Sequence, residues 1–305
     1  MITSIFSKSK PINFIFVAVY VCVLFVVTNY SLLFSGVNSS LATFFKWAVT
    51  LFLVFLIDFI VSKNNLTQRN SYAIMTFGLL FGMFPETMKH TNLLLANLFI
   101  IFALRRLISL HSNLHIKKKL FDAAFWIALA ALFYFWSLLF FALVIVALIY
   151  HSQNDFKNVI IPFMGVATVF VLLLVYNISV EDVYLKPTNF KRYASLDFTA
   201  YNSKENILKF TVLFTSYIWT LVYYFKNIPD KNKKLKPSYF LIAWASMIAI
   251  LVAIIAPVKN GSEFLFLFMP FSIIMANYIE VISERWFKEV FIALLILVPI
   301  IGLLL

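Results

Sequence analysis

The sequence contains few charged residues: 12% are Asp, Glu, Lys or Arg, whereas soluble domains carry about 25%. So few charges cannot cover a water-facing surface, which excludes an ordinary soluble globular protein. Cysteine occurs once, at Cys22, so neither a disulfide within the chain nor a cysteine-based metal site is possible. The sequence also contains no Walker loop, dinucleotide fingerprint or H-E-x-x-H motif, so we expect no cofactor and no metal.

The chain is instead rich in apolar residues, which make up 63% of its 305 positions and give a mean hydropathy of +0.93. Phe alone occurs 36 times and Tyr 14 times, and such aromatic side chains suit helix packing in lipid and the membrane interfaces. The composition predicts an all-α, polytopic transmembrane helical bundle in contact with membrane lipids.

Ten apolar stretches follow one another along the chain, most of them near the ~17–25 residues that cross a bilayer. They are 12–34, 41–61, 71–84, 92–110, 120–150, 159–178, 206–225, 239–256, 263–282 and 286–305. The stretch 71–84 is short and stops at Pro85. The stretch 120–150 is long enough for one tilted helix or for two short helices with a break near Phe135-Trp136-Ser137.

The distribution of basic residues decides between these alternatives, because cytoplasmic loops are enriched in Lys and Arg. With two helices in 120–150, 17 of the 25 basic residues fall on one side, including the loops 105–119 and 226–238. We therefore predict about eleven helices in a single integral membrane domain, residues 1–305. The N-terminus is then cytoplasmic, the C-terminus is periplasmic and the loop 179–205 is external. The net charge of +12 is interpreted as a topology signal, with no nucleic acid as partner.

The predicted spans contain few charged residues, and we single out three of them, since an ionisable side chain inside a span is a functional hypothesis by default. They are Lys46, Asp58 and Asp122. Each lies close enough to a helix end to reach water, so topology or helix capping is the interpretation that we set against a functional role.

Two external turns carry candidate catalytic residues, should the protein be an enzyme. In the first, Glu86 and His90 follow Pro85 at the membrane edge, and an imidazole there is suited to general base catalysis near neutral pH. In the second, Glu263 begins a helix and follows the turn residues Asn260 and Gly261. The alternatives are an ordinary polar turn and a carboxylate that caps a helix.

Basic residues on the same face are candidates for binding a phosphate or a lipid headgroup. Lys191 and Arg192 are adjacent in the long external loop, and a guanidinium binds phosphate oxygens bidentately. Lys89 and Lys259 lie in the two polar turns. A solvated loop is the alternative interpretation for all four.

Two segments resemble the GT-C membrane glycosyltransferases, which use polyprenyl-phosphate sugars. One is 121–148, preceded by a helix that ends in Arg105-Arg106, and the other is Gly261 to Pro270, GSEFLFLFMP. The resemblance implies a GT-C-like fold and a polyprenyl-phosphate lipid as partner. The chain departs from that family in its first external loop, SGVNSS at 35–40, which has no acidic residue. Either Glu86, Glu181 or Asp182 replaces it, or the chain is a non-catalytic relative of that family.

The whole chain, beginning MITSIFSKSKPINF, also resembles an uncharacterised family of polytopic inner-membrane proteins of Bacteroidota. That resemblance implies a bacterial inner-membrane protein of the cell envelope. We therefore expect a non-catalytic or lipid-binding subunit of an envelope complex for secretion, motility or envelope biogenesis, with other membrane proteins as partners. A GT-C-like transferase or polymerase is the first alternative. A transporter is the second, against which the lack of an internal repeat counts.

Overall fold

The computed structural model describes residues 2–33, 37–151, 156–181 and 193–302. These residues contain thirteen α-helices, short 3-10 helices and no β-strand, which confirms an all-α fold. Within these described ranges, seven helices are long and apolar enough to cross a membrane, which makes the chain a multi-pass membrane protein. The membrane orientation of the termini and the single-domain assignment stay predictions.

The predicted apolar segments all correspond to helices. In chain order the α-helices are α1 Ile2–Phe6, α2 Pro11–Thr28, α3 Tyr30–Leu33, α4 Val37–Asn64, α5 Tyr72–Met83, α6 Thr91–Ile108, α7 Ile116–Phe133, α8 Ala142–Tyr150, α9 Phe156–Glu181, α10 Lys204–Asn227, α11 Lys236–Ile255, α12 Leu265–Val281 and α13 Arg285–Gly302. The seven candidate spans lie on α2, α4, α6, α9, α10, α11 and α12.

Residues 120–150 form two helical segments, as the charge distribution predicts. α7 ends at Phe133, and Tyr134 has the extended backbone φ −145°, ψ 102°. A 3-10 helix, Phe135–Phe141, then leads directly into α8. An extended residue cannot continue the helical hydrogen bonds, so the direction of the chain changes at Tyr134.

The chain divides into two compact units. The first contains residues 1–94, 197–230 and 258–305. At its centre lie α5 and α12, which are buried along most of their length. Phe268 of α12 packs edge-on against Phe81 of α5, with 5.2 Å between the ring centroids.

The short helix α5 is stable because it lies inside protein. Its 12 residues rise only about 18 Å, which is less than the ~30 Å hydrocarbon thickness. Such a short segment is tolerated where its ends meet protein groups and not lipid. The Thr76 hydroxyl donates to the backbone carbonyl of Ser272, 3.2 Å away, and binds α5 to α12.

Carboxylates organise the end of the first unit where α4 leads into α5. The Glu280 carboxylate accepts hydrogen bonds from the Gln68 backbone N–H at 2.8 Å and the Asn70 side chain at 2.6 Å. The Glu289 carboxylate accepts the backbone N–H of Thr3 at 3.0 Å. These bonds fix the N-terminal segment and the α4–α5 loop onto α12 and α13.

The second unit contains residues 95–196 and 231–257. In it, α9 crosses α7 at Gly165, where an added Cβ atom would lie 2.7 Å from the carbonyl oxygen of Phe121. Small residues allow such close approach of helix backbones in membranes. α11 joins the unit through Ser238, whose hydroxyl donates to the Ile108 carbonyl at 2.9 Å.

Candidate functional site

The turn before α12 is built around the side chain of Glu263. Gly261 has φ +88°, a conformation that side-chain-bearing residues rarely adopt. This bend turns two backbone N–H groups toward the Glu263 carboxylate, that of Asn260 at 3.4 Å and that of Gly261 at 3.2 Å. Glu263 is 1% exposed, so its carboxylate is buried and bound to its own turn.

The second turn follows α5. Pro85 begins a 3-10 helix, Pro85–Met88, and the Thr87 hydroxyl donates to the Phe84 carbonyl at 2.7 Å. The Glu86 carboxylate pairs with the Lys89 ammonium at 2.8 Å, and both side chains are 41% exposed. Of the two predicted acidic groups, Glu86 is therefore accessible and Glu263 is not.

A hydrogen bond between His90 and Asn260 joins the two turns. The Nδ2 atom of Asn260 lies 3.1 Å from Nε2 of His90. Because the Oδ1 atom of Asn260 accepts from the Ser262 N–H and hydroxyl, its Nδ2 donates to the ring. The neutral ring then carries its proton on Nδ1.

The surroundings of His90 favour this neutral form. Burial lowers the pKa of His90 below its ordinary value. The nearby Glu86 carboxylate raises this pKa, whereas the ammonium groups of Lys46 and Lys89 lower it further. At neutral pH, His90 is therefore a hydrogen-bonding group and not a cation.

Lys46 is a buried cation beside these turns. The residue is 6% exposed, and its ammonium donates to the Asn29 side-chain oxygen at 3.4 Å and to the Lys89 carbonyl at 3.5 Å. Both bonds exceed the usual 2.7–3.2 Å, and both acceptors are uncharged. Within the described ranges, no carboxylate lies within 4.0 Å of this ammonium. A buried ammonium normally requires an anionic partner, so its electrostatic compensation is incomplete.

Aromatic rings adjoin the polar cluster. Phe84 stacks on Phe264 with 5.5 Å between centroids, and the Lys259 ammonium lies 4.9 Å from the Phe198 ring. Burial lowers the pKa of Lys259. Tyr201 packs 4.3 Å from Phe210, and its buried hydroxyl has no hydrogen-bond partner in the part of the chain that the structure describes.

The predicted site residues thus fall into two groups. Glu86, Lys89, His90, Lys259 and Glu263 lie at one end of the first unit, where the two turns meet. Lys191 and Arg192 lie outside the described residues. Among the residues described, no group of three or more His, Cys, Asp or Glu side chains is suited to a metal ion.

Two further members of this polar cluster, Asn29 and Lys46, were not among the predicted site residues. The available signal was the charge of Lys46 inside an apolar helix, which we interpreted as topology because a lysine near a helix end can reach water. The structure instead buries Lys46 in the protein. Which neighbours surround it depends on packing and not on its position in the sequence.

A second polar cluster lies in the second unit, after α6. The Lys119 ammonium donates to the Ser109 carbonyl at 2.5 Å, and His111 contacts the Ile108 carbonyl at 2.9 Å. These groups satisfy carbonyls at the end of α6. Burial lowers the pKa of His151 to about 4, with smaller contributions from His111 and Lys119. The arrangement therefore caps a helix end.

The fold and these clusters define the class of the protein: an all-α, multi-pass membrane protein with a polar cluster at one end of its first unit. Residues 1–303 match the Family of unknown function (DUF6427), and the chain belongs to that family. Comparison with curated proteins and with solved structures finds no match.

Proposed function

We propose that this protein is a non-catalytic, lipid-binding subunit of a membrane complex of the bacterial cell envelope, serving secretion, motility or envelope biogenesis. In this proposal, the polar cluster around Lys46 and His90 binds the anionic headgroup of a lipid. With the N-terminus in the cytoplasm, the headgroup lies at the outer face of the inner membrane. A polyprenyl phosphate and a phospholipid present the same phosphate chemistry.

The observation that carries the proposal is the incomplete compensation of the Lys46 ammonium. Its two acceptors are neutral oxygens at 3.4 and 3.5 Å. A phosphate oxygen would supply the negative charge that a buried ammonium requires. The buried Tyr201 hydroxyl, which has no partner among the described residues, and the nearby Lys259 belong to the same end of the unit and supply further donors.

The burial of Glu263 supports a subunit without catalytic activity. A general base must reach the proton that it removes, and the Glu263 oxygens instead accept the N–H groups of Asn260 and Gly261. The first external loop also lacks the acidic residue that the GT-C resemblance would require.

Lipid binding can be measured by native mass spectrometry of the full chain released from nanodiscs. The nanodiscs would contain phosphatidylcholine with phosphatidic acid, phosphatidylglycerol or undecaprenyl phosphate. Removing one charge-assisted hydrogen bond is worth about 1.5–3 kcal/mol, so Lys46→Met should weaken binding roughly 10- to 100-fold. Lys46→Arg, which keeps the charge, should bind more tightly than Lys46→Met.

Lys63→Met is the matched control, because Lys63 lies at the opposite end of α4, with its ammonium 5.2 Å from the Phe59 ring. It removes the same charge and should leave headgroup binding unchanged. Equal lipid retention by wild type and Lys46→Met would refute the proposed site. Preference for undecaprenyl phosphate over phosphatidylglycerol, or the reverse, identifies the lipid.

The His90–Asn260 pair favours a second candidate function, a GT-C-like transferase or polymerase that acts on polyprenyl-phosphate-linked sugars. Asn260 orients the imidazole at 3.1 Å, and the accessible Glu86 is close enough to influence the pKa of His90. A lipid-linked sugar donor distinguishes the two candidates. Turnover that is lost in His90→Gln and Glu86→Gln would indicate an enzyme, whereas binding without turnover would support the subunit.

A further inference from the structure

Asp58 is an acidic residue within the candidate span 39–64 of α4. It precedes Asn64, the last residue of the helix, by six positions, which corresponds to about 9 Å along the axis. Lys63 marks that end of the helix, where a basic side chain suits the membrane interface. Asp58 therefore lies more than one turn inside the basic residue that flanks the span.

The Asp58 carboxylate has no hydrogen-bond or ion-pair partner among the residues that the structure describes. The residue is half-buried. Five other carboxylates of the first unit behave differently, because each accepts hydrogen bonds or pairs with a cation. They are Glu86, Glu205, Glu263, Glu280 and Glu289. Asp230 and Glu284 also have no partner among the described residues, but both are exposed to solvent, whereas Asp58 is half-buried within the membrane span.

The direction of the side chain prevents an easy escape to water. Side chains of an α-helix tilt toward its N-terminus. For Asp58 that direction is away from Lys63 and toward the middle of α4. This tilt favours a carboxylate that lies within the span, where contact with lipid alone is unfavourable and where such residues are normally paired.

An apolar aromatic stripe runs along α4 beside Asp58. Phe52 stacks on Phe55 with 6.3 Å between ring centroids, and Phe55 stacks on Phe59 at 6.5 Å. Phe52 and Phe55 are 41% and 51% exposed. The acyl chains of lipid would suffice to cover the rings, but they offer no donor for the carboxylate.

We propose that Asp58 and this stripe form the docking surface for a transmembrane helix of another membrane protein, which carries a Lys or Arg at matching depth. Charge complementarity selects this occupant, since a basic side chain both neutralises the carboxylate and donates hydrogen bonds to it. A second copy of this chain fits less well, because Lys46, the basic residue nearest the middle of the same span, is buried against Asn29. This inference rests on the proposed function in one respect: both assume that the chain has a partner protein in the membrane.

Site-specific photo-crosslinking in native membranes tests the surface. A photoreactive amino acid would replace Leu51 or Ser62, which lie seven residues before and four residues after Asp58, on the same side of α4. Phe170, an exposed residue of α9, is the control position. We expect adducts from the α4 positions with one membrane protein, at a segment that has Lys or Arg within one turn.

Asp58→Asn should lower the adduct yield at least about tenfold, and Asp58→Lys should abolish it. Combining Asp58→Lys with an acidic substitution at the partner's basic residue should restore the yield. Adducts with lipid alone, with a second copy of this chain or with a helix that lacks a basic residue would overturn the proposal. A yield within about twofold of wild type in Asp58→Asn would do the same.

A stability measurement separates docking from a role inside the fold. Because the carboxylate has no partner among the described residues, Asp58→Asn should leave the Tm of the purified chain unchanged or raise it. A fall in Tm would assign Asp58 a structural role and overturn the proposal. The Asp58→Asn variant should still retain lipid, and the Lys46→Met variant should still form crosslinks from α4. The docking surface and the headgroup site are therefore tested independently.

Discussion

Replacing Glu263 with alanine should destabilise the protein through the turn that precedes α12. The substitution removes the acceptors of two backbone N–H groups, a part-buried one that lies 3.4 Å and a buried one that lies 3.2 Å from the carboxylate in the wild type. Leaving a buried donor unsatisfied costs about 1–3 kcal/mol. Removing the carboxylate also removes the free-energy cost of burying it, which offsets part of this loss. We therefore expect the free energy of unfolding to fall by about 2–4 kcal/mol.

At about 2–4 °C per kcal/mol, Glu263→Ala should lower the Tm of the purified chain by roughly 5–15 °C. Glu263→Gln keeps one carbonyl oxygen and should fall between alanine and wild type. Thermal unfolding of all variants in one detergent, at one scan rate, measures the effect. Glu86→Ala is the control, because its exposed ion pair is worth at most about 1 kcal/mol.

The reasoning would be refuted if Glu263→Ala and Glu86→Ala melted at the same temperature as wild type. The carboxylate would then contribute nothing to the turn, and its burial would require another explanation. If Glu263→Gln instead kept wild-type stability but lost turnover of a lipid-linked sugar, the catalytic hypothesis for Glu263 would gain support.

Two further predictions concern the second unit. Gly165→Ala should cost about 1–3 kcal/mol, because its Cβ would meet backbone atoms of α7 at 2.7 and 3.1 Å. Gly302→Ala, which meets the flexible Glu205 side chain at 3.0 Å, should lower the Tm less, and equal effects would contradict the tight α7–α9 packing. Because burial lowers the pKa of His151 from 6.5 to about 4, the unfolded chain binds a proton more readily than the folded chain. The stabilisation is therefore present above about pH 6.5 and is lost as the pH falls toward 4. His151→Gln should reduce the loss of Tm over that range, while the exposed His115→Gln should not.

Several features of the fold could be predicted from the sequence because they depend on local properties. Apolar runs determined the helices, since a span must be both long and uncharged. Pro85 predicted the end of α5, because proline removes a backbone donor. The charge distribution predicted two helices in 120–150, because two basic loops on the same side of the membrane are joined by an even number of crossings. The predicted break near Phe135-Trp136-Ser137 lies next to the observed one at Tyr134.

The candidate site was less predictable, because its geometry depends on contacts between residues far apart in the chain. The two polar turns could be identified from their composition, but the His90–Asn260 bond joins residues 170 positions apart. Nothing local distinguishes an accessible carboxylate such as Glu86 from a buried one such as Glu263. The GT-C resemblance stays a prediction, since degenerate motifs do not specify a tertiary arrangement.

The sequence by itself determined that this chain is an all-α protein of the membrane, because hydropathy and charge act residue by residue. Only the tertiary structure decided that Lys46 is buried in the protein, that Glu263 binds its own turn and that Asp58 has no partner among the described residues. The physical reason is the same in each case. The energy of a charged group in a membrane protein depends on the atoms within a few ångströms of it, and packing brings those atoms together.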